Sequence, residues 1–479
     1  MPPESATGRT ATGITSGPER CCPCRPSRAH RCNGEGLGLV SAARPPVPAP
    51  GAAVPAQRFA PGSLLRAGLL VAPLMAVGNG LNYVYNVVMA RLLGPAGYGA
   101  LGALLALALI ASVPGLALQV VVARHTALRV RDQHALAELW AATLAGVVGA
   151  GLALGALVAA ASPLLAAYLR LGSAAPALWL AASVAPLPAL AAVQGMLQGR
   201  ERFAALAWVL LAAAAGKLAG GVGLVALGAG VEGAIAAVSL GSLAAVLLAV
   251  VWVRPGLAGP PSPGRGRSWM RPLPRGLGRE VAGATTAILG LFILANVDVL
   301  LARHHLAADA SGLYAAGAVV AKIAYWAPQV VVLMVFPRLV TSGARRRLLA
   351  RSAACVAGFG ALLVVAAAAA PHLAASVSFG RSYLAVGPAL PLFAALGTCL
   401  ALVQLVLFSG IASADARLTW LLVAAVGVEV AVVTTVLHGS VTEIVTVTLT
   451  VAAALLVAGW LLERGRVAPG GGRVEGAAP

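Results

Sequence analysis

Charged side chains are scarce in this sequence. Only 10% of its 479 residues are Asp, Glu, Lys or Arg, whereas 59% are hydrophobic. Soluble globular domains carry about 25% charged residues, so the composition excludes a soluble protein. Apolar runs long enough to span a bilayer, about 20 residues each, recur along the chain. The composition therefore predicts an all-α polytopic membrane protein.

Sequence motifs for enzymatic chemistry are also missing. The chain contains no phosphate-binding GxxxxGK[ST] loop, no HExxH pair and no GxSxG elbow. The predicted loops between the apolar runs are too short to hold a soluble active site. We therefore expect neither an enzyme nor a built-in ATP motor, and no cofactor.

Cysteines are few and point to no metal centre. Cys355 and Cys399 fall in apolar segments and are expected to be small buried residues. The others cluster near the N-terminus together with His30, at positions 21, 22, 24 and 32. This cluster is compatible with zinc, but its spacing differs from a paired CxxC knuckle. It lies in residues 1–60, whose Pro-, Gly-, Ser- and Arg-rich composition predicts disorder.

Twelve apolar segments are predicted to be membrane-spanning helices. Their expected bounds are 65–90, 98–123, 136–161, 175–197, 203–227, 230–253, 280–302, 312–337, 350–370, 384–408, 418–437 and 442–462. A Pro-, Gly- and Arg-rich stretch over 254–279 separates the sixth helix from the seventh. The predicted organisation is a disordered tail (1–60), a six-helix bundle (61–253), a cytoplasmic basic linker (254–279), a second six-helix bundle (280–463) and a C-terminal tail (464–479).

The arginines predict the orientation of these helices. With both termini placed in the cytoplasm, all but four arginines fall in the cytoplasmic segments. The four exceptions are Arg91, Arg170, Arg303 and Arg381. Because cytoplasmic loops of membrane proteins are enriched in Lys and Arg, we expect both termini to face the cytoplasm.

Lysine is nearly absent, since every basic residue except Lys217 and Lys322 is an arginine. Both lysines lie inside predicted helices, where an ionisable side chain costs about 2.5–3.5 kcal/mol on insertion scales. Such residues mark a pathway or an ion pair. The two interpretations are an internal aqueous cavity that both lysines face, or buried ion pairs with Asp298 or Glu429.

A short motif occurs twice, about two hundred residues apart. Asn86-Val-Val-Met-Ala-Arg91 corresponds to Asn296-Val-Asp298-Val-Leu-Leu-Ala-Arg303, and aligning the arginines places Asn86 opposite Asp298. Each copy precedes a Gly- and Tyr-containing segment, which begins at Gly97 or Gly312. The repeat predicts a duplicated membrane domain with a pathway between its halves.

Asp298 in the seventh helix and Glu429 in the eleventh are the acidic residues predicted to lie near the middle of a span. Asp298 is interpreted either as a counter-ion for Lys322 or Arg303, or as a group that takes up a proton or sodium ion. Because the acid occurs in one copy of the repeat only, we expect an asymmetric coupling site in the second half, close to Lys322. Tyr98 and Tyr314 are expected to be interfacial or packing aromatics.

The run Ala90-Arg-Leu-Leu-Gly-Pro-Ala-Gly-Tyr-Gly99 and the Asn296–Arg303 motif followed by Ser311-Gly-Leu-Tyr314 resemble a known family. Similar segments occur in the polysaccharide biosynthesis and O-antigen flippase family, within the multidrug/oligosaccharidyl-lipid/polysaccharide exporter superfamily. The resemblance extends over about residues 62–462. It implies two six-helix bundles around a central cavity in the plasma membrane. It also implies a transporter that flips a polyprenyl-pyrophosphate-linked glycan to the outer leaflet by alternating access.

Under this resemblance, substrate contacts are expected from Lys322, Lys217, Arg91, Arg303, Asn86 and Asn296, and ion coupling from Asp298 and Glu429. The expected partners are the lipid-linked glycan, the bilayer and enzymes of glycan synthesis, without nucleic acid. Two other functions stay open: a multidrug cation antiporter of the same superfamily, and a non-transporting membrane scaffold of a glycan-synthesis complex. The scarcity of acids predicted within the spans of the first half disfavours a cationic drug as the substrate.

Overall fold

The computed structural model describes residues 61–130, 133–253, 277–326, 345–412 and 417–465. Within these ranges the secondary structure is helical, without a β-strand. The predictions about the N-terminal tail and its cysteine cluster concern residues outside these ranges. The same holds for most of the linker and of the C-terminal tail.

The part of the chain before the linker, residues 61–253, is called the first half here. Its helices are α1 (Pro61–Arg129), α2 (Gln133–Ala160), α3 (Ser162–Tyr168), α4 (Ala175–Val184), α5 (Leu187–Gly199), α6 (Phe203–Leu224) and α7 (Gly230–Val253), with a π-helical turn at Val225–Ala229.

Residues 277–465 are called the second half. Its helices are α8 (Leu277–Leu294), α9 (Val297–His305), α10 (Ala308–Trp326), α11 (Arg345–Ala369), α12 (Pro371–Phe379), α13 (Leu390–Ala412), α14 (Arg417–Thr435) and α15 (Val441–Gly465), with a 3₁₀ helix at Arg381–Ala389.

The first two predicted helices are joined through a single glycine. Gly94 adopts φ 65° and ψ 176° inside α1 and divides this helix into two arms. A positive φ is strained for residues with a Cβ, so glycine suits this position. The hydroxyl of Tyr98 on the second arm reaches the side chain of Asn86 on the first. Gly94 and Pro95, which follow the first copy of the repeated motif, therefore form the turn of a helical hairpin.

The prediction of one continuous helix over 280–302 is wrong. α8 ends at Leu294, Asn296 has φ −142°, and α9 begins at Val297. The side-chain amide of Asn296 donates a hydrogen bond to Phe292 O (2.8 Å), the acceptor that a continuous helix would offer to its backbone N–H. The backbone N–H of Asn296 turns to Ile293 O instead. Competition of an asparagine side chain with the main chain explains this break.

Two other predicted helices are also divided. The predicted helix 175–197 is interrupted between Val184 and Leu187, where Pro186 removes a backbone donor. The predicted helix 384–408 begins as a 3₁₀ helix that contains Pro388, and its α-helical part starts at Leu390. The remaining predicted helices are found with ends that differ by a few residues, over the ranges that the structure describes.

Nine helical stretches of the described chain are long and apolar enough to cross a membrane. Two of them, Ala76–Arg129 and Phe203–Val253, have 54 and 51 residues and are long enough for two crossings each. α10 has 19 residues but includes Asp309 and Lys322 and is not among the nine; counting it as a crossing brings the number to the predicted twelve. The prediction of an all-α polytopic membrane fold is confirmed.

The two halves approach closely where α1 meets α10. A Cβ on Gly312 would collide with Pro95 O, and one on Gly99 would lie 2.8 Å from Gly312 N. A Cβ on Gly102 would likewise lie 2.7 Å from the Cβ of Ala315. Small residues allow such close packing of helices in a membrane. The repeated motifs thus lie at the interface between the halves.

Candidate functional site

Asp298 lies in the first turn of the short helix α9, directly after the break at Asn296. Its side chain is only 3% exposed. The hydroxyl of Tyr314 on α10 donates a hydrogen bond to Asp298 Oδ2 (2.8 Å). The start of a helix carries a partial positive charge that favours an anion. The break in the seventh crossing thus exposes a helix end to this buried carboxyl group.

A second buried carboxyl group lies near the first. Glu429 on α14 is fully buried, and its charge acts on both Asp298 and Tyr314. The hydroxyl of Thr448 on α15 donates a hydrogen bond to Glu429 Oε1 (2.8 Å). The predicted coupling residues therefore belong to one site, which four helices of the second half form together.

This carboxyl site keeps several oxygen atoms without a hydrogen-bond donor. Asp298 Oδ1, Glu429 Oε2 and Asn296 Oδ1 are buried and lack a partner. Leaving a buried acceptor unsatisfied costs about 1–3 kcal/mol, and more for a charged group. An arrangement of unpaired carboxyl and amide oxygens is suited to hold a proton or a hard cation such as sodium.

Lys322 on α10 interacts electrostatically with the carboxyl site without a direct contact. Its charge interacts with that of Asp298. Among the described residues, no basic nitrogen approaches Asp298 or Glu429 closely enough to form an ion pair. The asymmetric coupling site in the second half stays a prediction.

The first half repeats this geometry with neutral groups. The hydroxyl of Tyr98 donates a hydrogen bond to Asn86 Oδ1 (3.1 Å), as that of Tyr314 does to Asp298. The amide nitrogen of Asn86 donates in turn to Asn82 O (2.8 Å). The repeated motif therefore builds a tyrosine–amide pair in one half and a tyrosine–carboxyl pair in the other.

Lys217 on α6 lies beside this neutral pair. Its ammonium group donates a hydrogen bond to Asn82 Oδ1 (2.9 Å) and lies 4.2 Å from the ring centre of Tyr85. The hydroxyl of Tyr85 donates to Ala234 O (2.8 Å), which fixes the ring. A cation above an aromatic face is stabilised by the ring quadrupole. Lys217 is only partly buried, so its charge stays accessible.

Lys217 and Lys322 belong to different halves, yet their charges interact. Like charges near each other repel, and no acid forms an ion pair with either one in the described part of the chain. Of the two interpretations of the lysines, close ion pairing with Asp298 or Glu429 is not what the structure shows. Both side chains retain accessible surface.

Arg303 lies at the other end of α9 and joins the halves. Its guanidinium group donates hydrogen bonds to Leu169 O (2.8 Å) and Arg170 O (3.0 Å) of the first half. It also donates to Ser311 Oγ (3.0 Å). Arg303 is 7% exposed and does not bond to Asp298. We call these contacts of Arg303 with the first half the Arg303 seal.

Arg91 makes a similar contact in the opposite direction. Its guanidinium group donates a hydrogen bond to Val377 O of the second half. Nearby, the hydroxyl of Tyr383 donates to Ala90 O (2.9 Å). Both arginines of the repeated motif thus bind main-chain carbonyl groups across the interface between the halves.

Several residues of these sites were missed in the sequence. Tyr98 and Tyr314 are buried packing aromatics, as predicted, but the sequence did not show that both also donate hydrogen bonds to the paired motif residues. Their place after each copy of the repeat was the available signal. Tyr85 and Thr448 carried no signal, because only the packing of helices brings them to Lys217 and Glu429.

The family of polysaccharide biosynthesis proteins matches residues 65–341, more than half of the chain. The protein belongs to this family. No curated protein sequence matches significantly.

Solved structures of transporters share the fold. The lipid II flippase MurJ in an inward closed conformation matches with a TM-score of 0.66 and 12% identity, over 83% of this chain and 87% of MurJ. An inward-facing multidrug resistance MATE transporter of the MOP superfamily matches with a TM-score of 0.63 and 13% identity, over 81% of this chain and 94% of the transporter. A Vibrio cholerae MATE transporter matches with a TM-score of 0.55 and 15% identity, over 85% and 97%.

At these identities the likeness concerns the fold alone. The chain is a multi-pass membrane protein with the architecture of this transporter superfamily. Substrate, coupling ion and orientation have to be argued from its own residues.

Proposed function

We propose that the protein flips a polyprenyl-pyrophosphate-linked glycan to the outer leaflet of the plasma membrane by alternating access. The proposal rests on the positive charges of Lys217 and Lys322. Two partly exposed cations on opposite halves, neither in a close ion pair with an acid of the described residues, suit a ligand with a negatively charged head group. Charge-assisted hydrogen bonds to phosphate oxygens are about twice as strong as neutral ones.

The amide groups of the first half extend this proposed head-group site. Asn82 and Asn86 lie on the same arm of α1 as the ring of Tyr85 that supports Lys217. Side-chain amides and tyrosine hydroxyls both bond to sugar hydroxyls. We assign Arg91 and Arg303 to the closure between the halves, because each donates hydrogen bonds to carbonyl groups of the opposite half. Asn296 is assigned to the break before α9.

The carboxyl site is proposed to couple transport to an ion. Asp298 and Glu429 keep unpaired oxygens inside the second half, and a proton or sodium ion would satisfy them. Helix α9 carries Asp298 at one end and Arg303 at the other. A movement of α9 on ion binding at Asp298 would therefore also move Arg303 and its contacts with the first half.

The arginine distribution supports cytoplasmic termini. In this orientation the Arg303 seal lies toward the outer surface. A cationic drug is a poorer substrate, since it would meet Lys217 and Lys322 as like charges. Enzymes that assemble the glycan are proposed as partners on the side where the substrate is loaded.

The proposal is tested by flipping of a fluorescent polyprenyl-diphosphate saccharide in proteoliposomes. Lys217→Gln and Lys322→Gln are each expected to reduce the initial rate about tenfold or more, because a hydrogen bond to a charged group contributes roughly 1.5–3 kcal/mol. The exposed Arg351 provides the matched control, since Arg351→Gln also removes one positive charge.

Competition with inorganic pyrophosphate identifies the recognised group. We expect pyrophosphate to inhibit flipping by the wild type, and to inhibit it less in both lysine variants. Wild-type rates in the two lysine variants, or an equal loss in Arg351→Gln, would overturn the assignment of the lysines.

A further inference from the structure

Three histidines meet at the Arg303 seal, apart from the lysines and the carboxyl site. His304 and His305 end α9, and His438 lies in the loop between α14 and α15. The ring centres of His304 and His305 are 4.8 Å apart, and those of His305 and His438 are 4.7 Å apart. We call these three residues the histidine cluster.

The cluster contacts the first half through Tyr168, at the end of α3. The rings of Tyr168 and His304 stack with centres 4.2 Å apart and an angle of 7°. The Nδ1–H of His304 donates a hydrogen bond to Tyr168 O (2.9 Å). The next residues of the first half, Leu169 and Arg170, accept the hydrogen bonds of Arg303. The cluster and the seal are therefore one contact surface.

Every charged or titratable group that acts on His305 is basic. These groups are Arg170 from the first half, His304 from α9 and His438 from the neighbouring loop. Arg170 also acts on Arg303, and its guanidinium group donates to Leu306 O (3.4 Å). The seal thus already holds two like-charged arginines together through carbonyl groups.

Three acidic residues lie near this surface, and each interacts with a group other than His305. Glu443 in the first turn of α15 accepts a hydrogen bond from Gly439 N (2.9 Å), next to His438. Glu232 accepts one from Ser173 Oγ (3.1 Å). Asp309 in the first turn of α10 acts on Tyr383. None of the three acts on His305.

We propose that protonation of the histidine cluster at low pH weakens the Arg303 seal and allows the two halves to separate. Histidine is the side chain whose ordinary titration lies closest to physiological pH, near about 6.5. Protonation of His305 would place a new positive charge near Arg170, which belongs to the opposite half, and directly beside the ring of His438. Like charges that lie close together repel each other, so the closed arrangement loses stability as the pH falls.

His304 differs from the other two histidines. Its Nδ1–H donates to Tyr168 O of the opposite half, whereas His438 Nδ1 bonds to Val433 O of its own half. A protonated His304 would keep this bond and its stacking on Tyr168. The repulsion therefore comes from His305 and His438. His304 holds the contact at either pH.

The inference is tested by electron paramagnetic resonance on the full chain in nanodiscs, after the native cysteines are replaced by serine. Spin labels at Ser173→Cys and Ala307→Cys report the separation of the halves beside the seal, since both positions are exposed. We expect one short distance at about pH 7.5, and a longer population that grows reversibly at about pH 5.5.

The double variant His305→Gln/His438→Gln is expected to keep the short distance at both pH values. The matched control His372→Gln, an exposed histidine on α12 outside the cluster, should respond like the wild type. His304→Gln should weaken the short distance at both pH values and keep the pH response.

An unchanged pH response in the double variant would overturn the proposal, as would a wild type without any response. If the double variant does not fold, the loop variant His438→Gln alone decides. It should shift the midpoint of the transition to lower pH, and an unshifted midpoint rejects the proposal. The distance measurement needs no glycan. The pH-dependent separation can therefore be rejected while the proposed transport stands, and the transport can be rejected while the pH-dependent separation stands.

Discussion

The tyrosine pairs of the two halves have the same geometry and different chemistry. Tyr98 bonds to the amide oxygen of Asn86, and Tyr314 bonds to the carboxyl oxygen of Asp298. Around the amide lie Asn82 and Lys217, whereas a second acid acts on Asp298. Asn86 and Asp298 differ in one terminal atom, an amide nitrogen in place of a carboxyl oxygen. The pair of the first half is therefore always neutral, whereas that of the second half can gain or lose a proton. Duplication provides the scaffold, and substitution makes the halves functionally unequal.

The largest effect is expected when the second half is made like the first. Asp298→Asn keeps an acceptor for Tyr314 but removes the ionisable group. We expect ion-driven flipping in proteoliposomes to fall about 5–150-fold, the range of a typical coupling free energy. A variant that still responds fully to an imposed sodium or proton gradient would contradict the coupling role of Asp298.

Removing the two tyrosine hydroxyls compares the pairs directly. Tyr314→Phe leaves a buried carboxyl oxygen without its donor, and hydrogen bonds to charged groups contribute about 1.5–3 kcal/mol. Tyr98→Phe removes a bond to a neutral amide on a partly buried residue, worth about 0.5–1.5 kcal/mol. Denaturant unfolding in detergent should show the greater loss of unfolding free energy for Tyr314→Phe. Equal losses would mean that the hydrogen bond to the carboxyl group contributes no more to the unfolding free energy than the bond to the amide.

The glycines that begin the two Gly-Tyr segments offer a test of packing. Gly312→Ala places a methyl group against Pro95 O, and such overpacking costs about 1–3 kcal/mol. At Gly97 the nearest atom to a new Cβ is Leu93 Cβ at 3.1 Å, a milder approach than that of Gly312 to Pro95 O. We expect Gly97→Ala to change the unfolding free energy by less than about 1 kcal/mol. The same loss in both variants would show that the halves do not depend on close contact at Gly312.

The smallest effect is expected when the first half is made like the second. Asn86→Asp introduces a carboxyl group beside Tyr98, but no acid corresponding to Glu429 acts there among the described groups. The dependence of the flipping rate on ion concentration should stay unchanged. A steeper dependence, measured in the same vesicles, would reveal that one acid is sufficient for a coupling site.

Much of this architecture followed from the sequence. Apolar length predicted the helices, and the glycines and prolines between them marked the turns. The repeat predicted that Asn86 and Asp298 hold equivalent positions, and their tyrosine partners confirm this equivalence. The break at Asn296 was not predicted, because an asparagine in an apolar run looks like a tolerated polar residue. It becomes a break only because its side chain competes for Phe292 O.

By itself, the sequence determined the membrane class, the number of crossings and the asymmetry of the acids, since these depend on local composition and on alignment of the repeat. Only the tertiary structure decided which residues meet. It showed that Arg91 and Arg303, which were expected to bind substrate, contact carbonyl groups of the opposite half, and it brought Thr448 to Glu429 and Tyr85 to Lys217. Such pairings depend on how helices far apart in the chain are packed and rotated. In spans that are hydrophobic on nearly every side, periodicity carries little information about rotation.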